Sequence, residues 1–218
     1  MDKILTTGPD DLHWTLLSPK FFARSAPSVA SDLLTCLLLR KTANSWIGGP
    51  ICETEAYTED DEASHTFGGR NARNASMYDA PGTLYVYRSY GIHWCLNLST
   101  GDKGRGEAVL IRALSPTYGI NQMIPGASKS PHKLCSGPGR LCAALGIDKA
   151  FDGQMMGKGE LGIWQATVKA DFQHAVGERI GISKAVDKTW RFGIQGHPSL
   201  SKPFPPGSEK EKKNKESS

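Results

Sequence analysis

The chain has 218 residues, 39% of them apolar and 22% charged, and 26 Lys plus Arg against 22 Asp plus Glu leave a net charge of +4. That length allows one large domain or two small ones with a core that needs no staples. Collagen, coiled coil, membrane protein and wholly disordered chain are excluded as whole-chain readings. The longest apolar run, around Leu37, Leu38 and Leu39, falls far short of the roughly 18 residues of a membrane span. Met1 to Pro9 carries no basic patch followed by an apolar stretch, so no secretion signal is expected. The five cysteines are odd in number and widely spaced, with no C-x-x-C. Neither a disulfide framework nor a zinc finger fits them, and an intracellular location is expected, in the cytoplasm or nucleoid of a bacterium or the nucleus of a eukaryote.

Residues 1–17 read as a loosely structured lead-in. Ser18-Pro19 and Ser25 to Pro27 are helix starts, since proline suits the first turn, and Val29, Ala30, Leu33 and Leu34 follow at helical spacing. Cys36 to Lys41 turns β-like and Asn44-Ser45 is a turn. Trp46-Ile47 and Ile51 to Tyr57 are strands on either side of a Gly48-Gly49-Pro50 break. Asp60 to Ala80 is rich in Gly, Asn, Asp and Arg without periodicity, and reads as a long ordered loop. Thr83 to Tyr90 and Ile92 to Ser99 form a hairpin with Gly91 at the corner. Glu107 to Leu114 is a strand, Ser115-Pro116 opens a helix, and Ser136 to Leu145 contains another. Leu161 to Val168 and Trp190 to Ile194 close the body as strands. Lys202 to Ser218, with five Lys, three Glu and three Pro, reads as a disordered basic tail. The sum is one α+β domain over 18–201 with a flexible tail over 202–218.

Period-2 alternation puts Glu53, Glu55 and Tyr57 on one strand face and Cys52, Thr54 and Ala56 on the other. Two carboxylates and a phenol on one face are either a solvated polar surface or a catalytic set. Asp60, Asp61, Glu62 and His65 invite a metal reading, but their spacing does not converge them. Tyr85 and Tyr87 share a face. Tyr90, beside the Gly91 corner, has little core to pack against; it either lies on its own hairpin or enters a stack of bases. On the returning strand Cys95 and Asn97 face away from Trp94, Leu96 and Leu98. Ser136-Gly137-Pro138-Gly139-Arg140 is either a phosphate-binding turn or an ordinary helix start.

In chain order, E-T-E-A-Y at 53–57, A-S-H at 63–65, G-G-R at 68–70, P-G-T-L-Y-V-Y at 81–87 with Y-G at 90–91 and C-x-N at 95–97, E-A-V-L-I-R-A-L at 107–114 and L-C-S-G-P at 134–138 closely resemble the alkyladenine (3-methyladenine) DNA glycosylase family. The resemblance runs from about Leu17 to Ser201. It implies a single mixed α/β domain around a curved, mainly antiparallel sheet, with flanking helices and a protruding hairpin that enters the minor groove. It implies a monofunctional glycosylase of base excision repair, a monomer without metal or other cofactor. The partner implied is double-stranded DNA with damaged purines, alkylated or deaminated, and the product an abasic site.

By motif, Glu55 matches the general base that activates water. Tyr57, His65 and Tyr87 match the walls around the flipped base. Tyr90 matches the side chain that fills the gap in the duplex. Asn97 matches the residue that disfavours the 2-amino group of guanine, and Arg112 a residue near the active site. Arg70, Arg73 and Arg140 are expected on the DNA backbone. Glu53 has no matched role and is expected to matter much less than Glu55; removal of Lys202 to Ser218 is expected to leave the chemical step intact. Arg88 and Ser89 are more polar than the apolar pair of some relatives. On the residues alone two other classes stay open: a metal-dependent hydrolase using Asp60, Asp61 and His65, and a noncatalytic nucleic-acid binding module using the hairpin and basic loops. No Lys lies between Glu53 and Asn97, so a lyase step through a pocket amine is not expected.

Overall fold

The computed structural model describes residues 13–43, 45–123, 130–168 and 171–208. Among them, strands β1 (Trp14–Leu16), β2 (Leu37–Lys41), β3 (Trp46–Tyr57), β4 (Leu84–Ser89), β5 (His93–Ser99), β6 (Ala108–Leu114), β7 (Leu161–Ala166), β8 (His174–Gly177) and β9 (Arg191–Ile194) join one sheet. Its order is β1-β7-β2-β3-β6-β5-β4, with β9 pairing both β3 and β8, and the paired strands run antiparallel. Helices α1 (Pro19–Phe22), α2 (Ala26–Asp32) and α3 (Pro138–Leu145) flank it. This is the expected α+β architecture in one domain.

β3 is the spine. Its first half pairs with β2 and its second half with β9, while β6 runs along its other edge from Ile51 to Tyr57. The fork falls at the carboxylate end of β3, where β6 and β9 flank Glu53 and Glu55 on the two edges. β3 is also one strand where the sequence predicts two. A Cβ on Gly48 would stand 2.1 Å from the Leu38 carbonyl oxygen, and one on Gly49 1.8 Å from that of Ser115. The glycines there admit neighbouring backbone rather than break the strand. The same approach overrides the helix predicted at Ser115-Pro116. The Ser115 N–H donates to the Pro50 carbonyl and the Thr117 and Tyr118 N–H groups to that of Gly48. The chain therefore runs on extended, and a helical turn comes only at Ile120–Gln122, in 3-10 form.

The run Leu37-Leu38-Leu39 is apolar throughout because both faces of β2 are covered. Leu38 packs with Leu33, Ile51, Leu96, Ile111 and Leu141 in the main core, whereas Leu37 and Leu39 pack with Trp164 on the far side. α2 begins at the predicted Ser25, yet no hydroxyl caps it. Its Ala26 N–H is instead taken by the buried Glu107 Oε2 at 3.2 Å.

Packed or paired residues lie on both sides of the span 18–201. Within the expected lead-in 1–17, Trp14–Leu16 is a strand paired with β7, while residues 1–12 lie outside the described residues. The expected tail 202–218 is packed at least to Ser208. Phe204 is buried against Ala175 and Leu200, and the Val176 N–H donates to the Ser208 carbonyl at 2.8 Å. One aromatic ring inside a Pro- and Lys-rich run supplies its apolar anchor. The remaining tail, 209–218, lies outside the described residues, as does Asn44 of the predicted turn.

Candidate active site

β3 and β6 lose register around Glu53: Ile51 faces Leu114, Glu53 faces Ala113, and Thr54 faces Ile111. On either side of this irregularity Ile51 pairs with Leu114 and Glu55 with Leu110, so strand alternation sets Arg112, with Leu110, on the face that carries Glu53 and Glu55. Arg112 Nε lies 3.1 Å from Glu53 Oε1, and its Nη1 lies 3.1 Å from Glu55 Oε2. The opposite face is structural, as the alternation predicts: Thr54 Oγ donates to the Ala30 carbonyl of α2 at 2.8 Å, and Ala56 lies in the core.

Both carboxylates are fully buried; Glu53 takes four donors and Glu55 three. Glu55 Oε1 accepts from the Ile180 N–H at 2.7 Å; its Oε2 accepts from the Tyr57 hydroxyl at 2.9 Å and from Arg112. Glu53 Oε1 accepts from Arg112, from Arg191 Nε at 2.7 Å and from the Ser201 hydroxyl at 2.7 Å, and its Oε2 accepts from the Ser201 N–H at 2.6 Å. Burial alone would lower the Arg112 guanidinium's proton affinity, but Glu55 and Glu53 more than offset it and raise its pKa. Burial, then the Glu55 charge beside it, pushes the Tyr57 phenol far above its usual value, so it remains a donor to Glu55 at neutral pH.

A cavity of about 650 Å³ opens in front of this pair. The three partners of Glu55, namely Tyr57, Arg112 and Ile180, all line it, so the carboxylate stands directly behind the wall. The aromatic side is continuous. His65 meets the Tyr87 ring edge-on at 4.5 Å, Tyr87 stacks on Tyr85 at 5.3 Å, and His65 Nδ1 is 2.9 Å from the Tyr85 hydroxyl. Burial and then Arg73 lower the His65 pKa, which leaves the imidazole neutral at pH 7. Burial raises the Tyr85 phenol to about 12. Asn97 also lines the cavity, fixed by its Nδ2 donating to the Tyr85 carbonyl at 3.1 Å.

The β4–β5 hairpin borders the cavity mouth. Its turn closes with the Ile92 N–H donating to the Ser89 carbonyl at 2.9 Å. Both central residues are left-handed, with φ +50 at Tyr90 and +70 at Gly91. Gly91 accepts that conformation freely, whereas an aromatic residue there is strained. The Tyr90 ring is 88% exposed, the most exposed of the described large apolar side chains.

The other candidates separate. Asp60 accepts from Thr58, Asp61 pairs with Arg179 in full burial, and His65 meets Tyr85, so the three do not converge on one point. Arg70 and Arg140 are exposed, Arg70 lying over the Tyr78 ring at 5.7 Å. Arg73, expected on the DNA backbone, lines the cavity and lies over the Tyr87 ring at 5.7 Å. Three participants carried no usable sequence signal. Arg179 sits over the Tyr57 ring at 4.7 Å while paired with Asp61, Ile180 supplies only its backbone N–H, and Ser201 joins Glu53 across 148 positions. Glu53, expected to matter much less than Glu55, is the most heavily bonded of the set.

Comparison with known proteins identifies the family. Residues 20–198 match the methylpurine-DNA glycosylase family. The chain is 47% identical over 186 residues to a protein of Rhizobium johnstonii, covering 85% of this chain and 89% of that one. It is 45% identical over 190 residues to one of Rhodopseudomonas palustris strain BisB5, covering 87% and 91%. It is 46% identical over 189 residues to one of Nitrobacter winogradskyi, covering 86% and 88%. Each of the three bears the name "Putative 3-methyladenine DNA glycosylase". The matched span takes in the β3 carboxylates, the aromatic wall and the hairpin alike, and the chain belongs to the methylpurine-DNA glycosylase family.

Proposed function

We propose that this protein, a DNA glycosylase of base excision repair, turns damaged purines out of duplex DNA and hydrolyses their N-glycosyl bonds with a water activated by Glu55. The observation that carries the reading is the joint placement of an aromatic-walled cavity, a buried carboxylate–arginine pair behind it, and a strained, exposed tyrosine at its mouth. A cavity of about 650 Å³ lies within the range of small-molecule sites and admits a purine.

A base stacked in a duplex is out of reach, so it must be extruded at a cost of a few kcal/mol, least for damaged or mispaired bases. Tyr90 occupies the gap left behind. The extruded purine enters between Tyr57 on one side and His65 and Tyr87 on the other. An N-alkylated purine is cationic, and each favourable contact with a tyrosine face contributes about 0.5–2 kcal/mol. Asn97, fixed through the Tyr85 carbonyl, cannot swing aside for an exocyclic 2-amino group. Normal guanine is therefore disfavoured.

A carboxylate has about four lone-pair positions. The Ile180 N–H, the Tyr57 hydroxyl and Arg112 take three of those on Glu55. The fourth accepts a proton from a water seated between them. Attack of that water at the sugar carbon forms the new C–O bond as the N-glycosyl bond breaks; its electron pair leaves with the purine, so a cationic lesion departs neutral, and the carboxylate stabilises the oxocarbenium-like charge.

The test is release of free base from duplex oligonucleotides that carry 3-methyladenine or hypoxanthine, with strand breakage scored before and after alkali. Free purine, with nicks only after alkali, is the expected result. Tight lesion binding with no released base would identify a noncatalytic binding module instead.

A further inference from the structure

Glu53 and Ser201 are idle in that mechanism, yet both are built tightly into the site. The Ser201 hydroxyl donates to Glu53 Oε1 at 2.7 Å and accepts from Arg112 Nη2 at 3.2 Å. The Ser201 N–H holds the other oxygen of Glu53 at 2.6 Å. Arg112 is thus gripped on its Nε and Nη2 side, and its Nη1 is left pointing at Glu55. Arg191 neutralises the same Glu53 from β9. The segment that delivers Ser201 is anchored independently on both sides: Ser136 Oγ donates to the Leu200 carbonyl at 2.8 Å, and the Phe204 ring lies under the Arg191 guanidinium at 3.9 Å.

We propose that Glu53 and Ser201 are positioning residues for the glycosidic step, fixing the Arg112 guanidinium against the Glu55 carboxylate, so that the segment around Ser201 completes the active site. The inference rests on Glu55 being the general base. A guanidinium has a planar fork with five donor hydrogens, and a fork held along one side has a fixed direction on the other. Without that grip Arg112 keeps its charge but not its aim. Glu55 then loses the donor that sets the orientation of its fourth lone pair. Neither Glu53 nor Ser201 lines the cavity, so their effect falls on the rate of chemistry and not on capture of the base.

The experiment compares Ser201→Ala and Ser201→Thr, with Glu55→Gln alongside, by single-turnover excision from a hypoxanthine duplex at saturating protein and by the dissociation constant for the same duplex. Ser201→Ala is expected to lower the single-turnover rate about tenfold, the scale of one well-placed hydrogen bond in the transition state, with binding unchanged. Ser201→Thr, which keeps the hydroxyl, is expected to restore the rate to within about threefold of wild type. Paired melting curves separate a folding defect from a kinetic one; if Ser201→Ala melts early, the Thr variant still reads out the hydroxyl. A wild-type rate in Ser201→Ala, or a loss confined to binding, would overturn the inference, as would a folded Thr variant as slow as the Ala one. Loss in Glu55→Gln beside a normal Ser201→Ala would overturn this inference alone. Normal excision by Glu55→Gln would sink the reading of Glu55 and this inference with it.

Discussion

Glu53→Gln should be among the most destabilising single-atom changes available in this protein. One Glu53 oxygen takes three donors, from Arg112, Arg191 and the Ser201 hydroxyl, and the other takes the Ser201 N–H. Glutamine keeps one acceptor and replaces the other with an NH2. In one orientation that NH2 faces the Ser201 N–H, and in the other it faces two guanidinium groups. Breaking a buried ion pair by removing one partner costs about 3–5 kcal/mol. Here two buried arginines lose their shared counter-charge, so the upper half of that range applies. Against a total stability of about 5–15 kcal/mol this is a large fraction. At about 2–4 °C per kcal/mol for a domain of this size, the melting temperature should drop by about 10 °C or more. Urea denaturation of wild type, Glu53→Gln and Glu53→Ala, read by midpoint at constant slope, measures it. A Glu53→Gln midpoint within about 0.5 kcal/mol of wild type, the range of ordinary surface changes, would refute the account of Glu53 as a charge hub.

Phe204→Ala should destabilise the fold by about 3 kcal/mol, the low end for a buried Phe, and truncation after Ser201 should do at least as much; a melting curve that overlays wild type would show that this segment is not docked. Tyr90→Gly should raise stability by about 1 kcal/mol by relieving the left-handed backbone, while weakening lesion-duplex binding by about 1–3 kcal/mol through lost stacking. Unchanged binding, or equal loss on single-stranded DNA, would contradict the wedge. The His65 imidazole is held below its ordinary value of 6.5, first by burial and then by Arg73. The unfolded chain therefore takes the proton first as pH drops. His65's contribution to stability is complete above about 6.5 and is lost as pH falls through the lower folded value. His65→Gln should flatten the acid side of a stability–pH curve, leaving His197, also lowered by burial, as a second source; an unflattened curve would argue against this.

The strands with long alternation were legible because alternation is what a strand with one core face requires. The second half of β3, the hairpin and β6 lay where expected, and so did the shared face of Glu53, Glu55 and Tyr57. β1 and β8, of three and four residues, are too short to show a period and were missed. Gly48-Gly49 and Ser115-Pro116 were misread for one reason. Both carry local break or start signals, and both were overridden by a backbone contact between segments more than sixty residues apart, which no local rule contains. In the site, the family motifs led to the cavity walls. The supports of those walls were hidden, because a backbone N–H at Ile180 and a serine 148 positions from its carboxylate leave no mark in a linear pattern. Arg112 falls on the right face by alternation, but the Ser201 hydroxyl that helps to aim it lies 89 positions away.

The central claim is that Glu55 activates the water, and Glu55→Gln tests it most directly. Glutamine preserves the shape and one acceptor oxygen but cannot take the proton. Single-turnover excision of hypoxanthine or 3-methyladenine from duplex DNA should fall by about 10²–10⁴-fold, the contribution of a general base. Binding of the same duplex should persist or tighten, since one negative charge has left the neighbourhood of the phosphates. Near-normal excision by a folded Glu55→Gln protein would contradict the claim and place the catalytic base elsewhere.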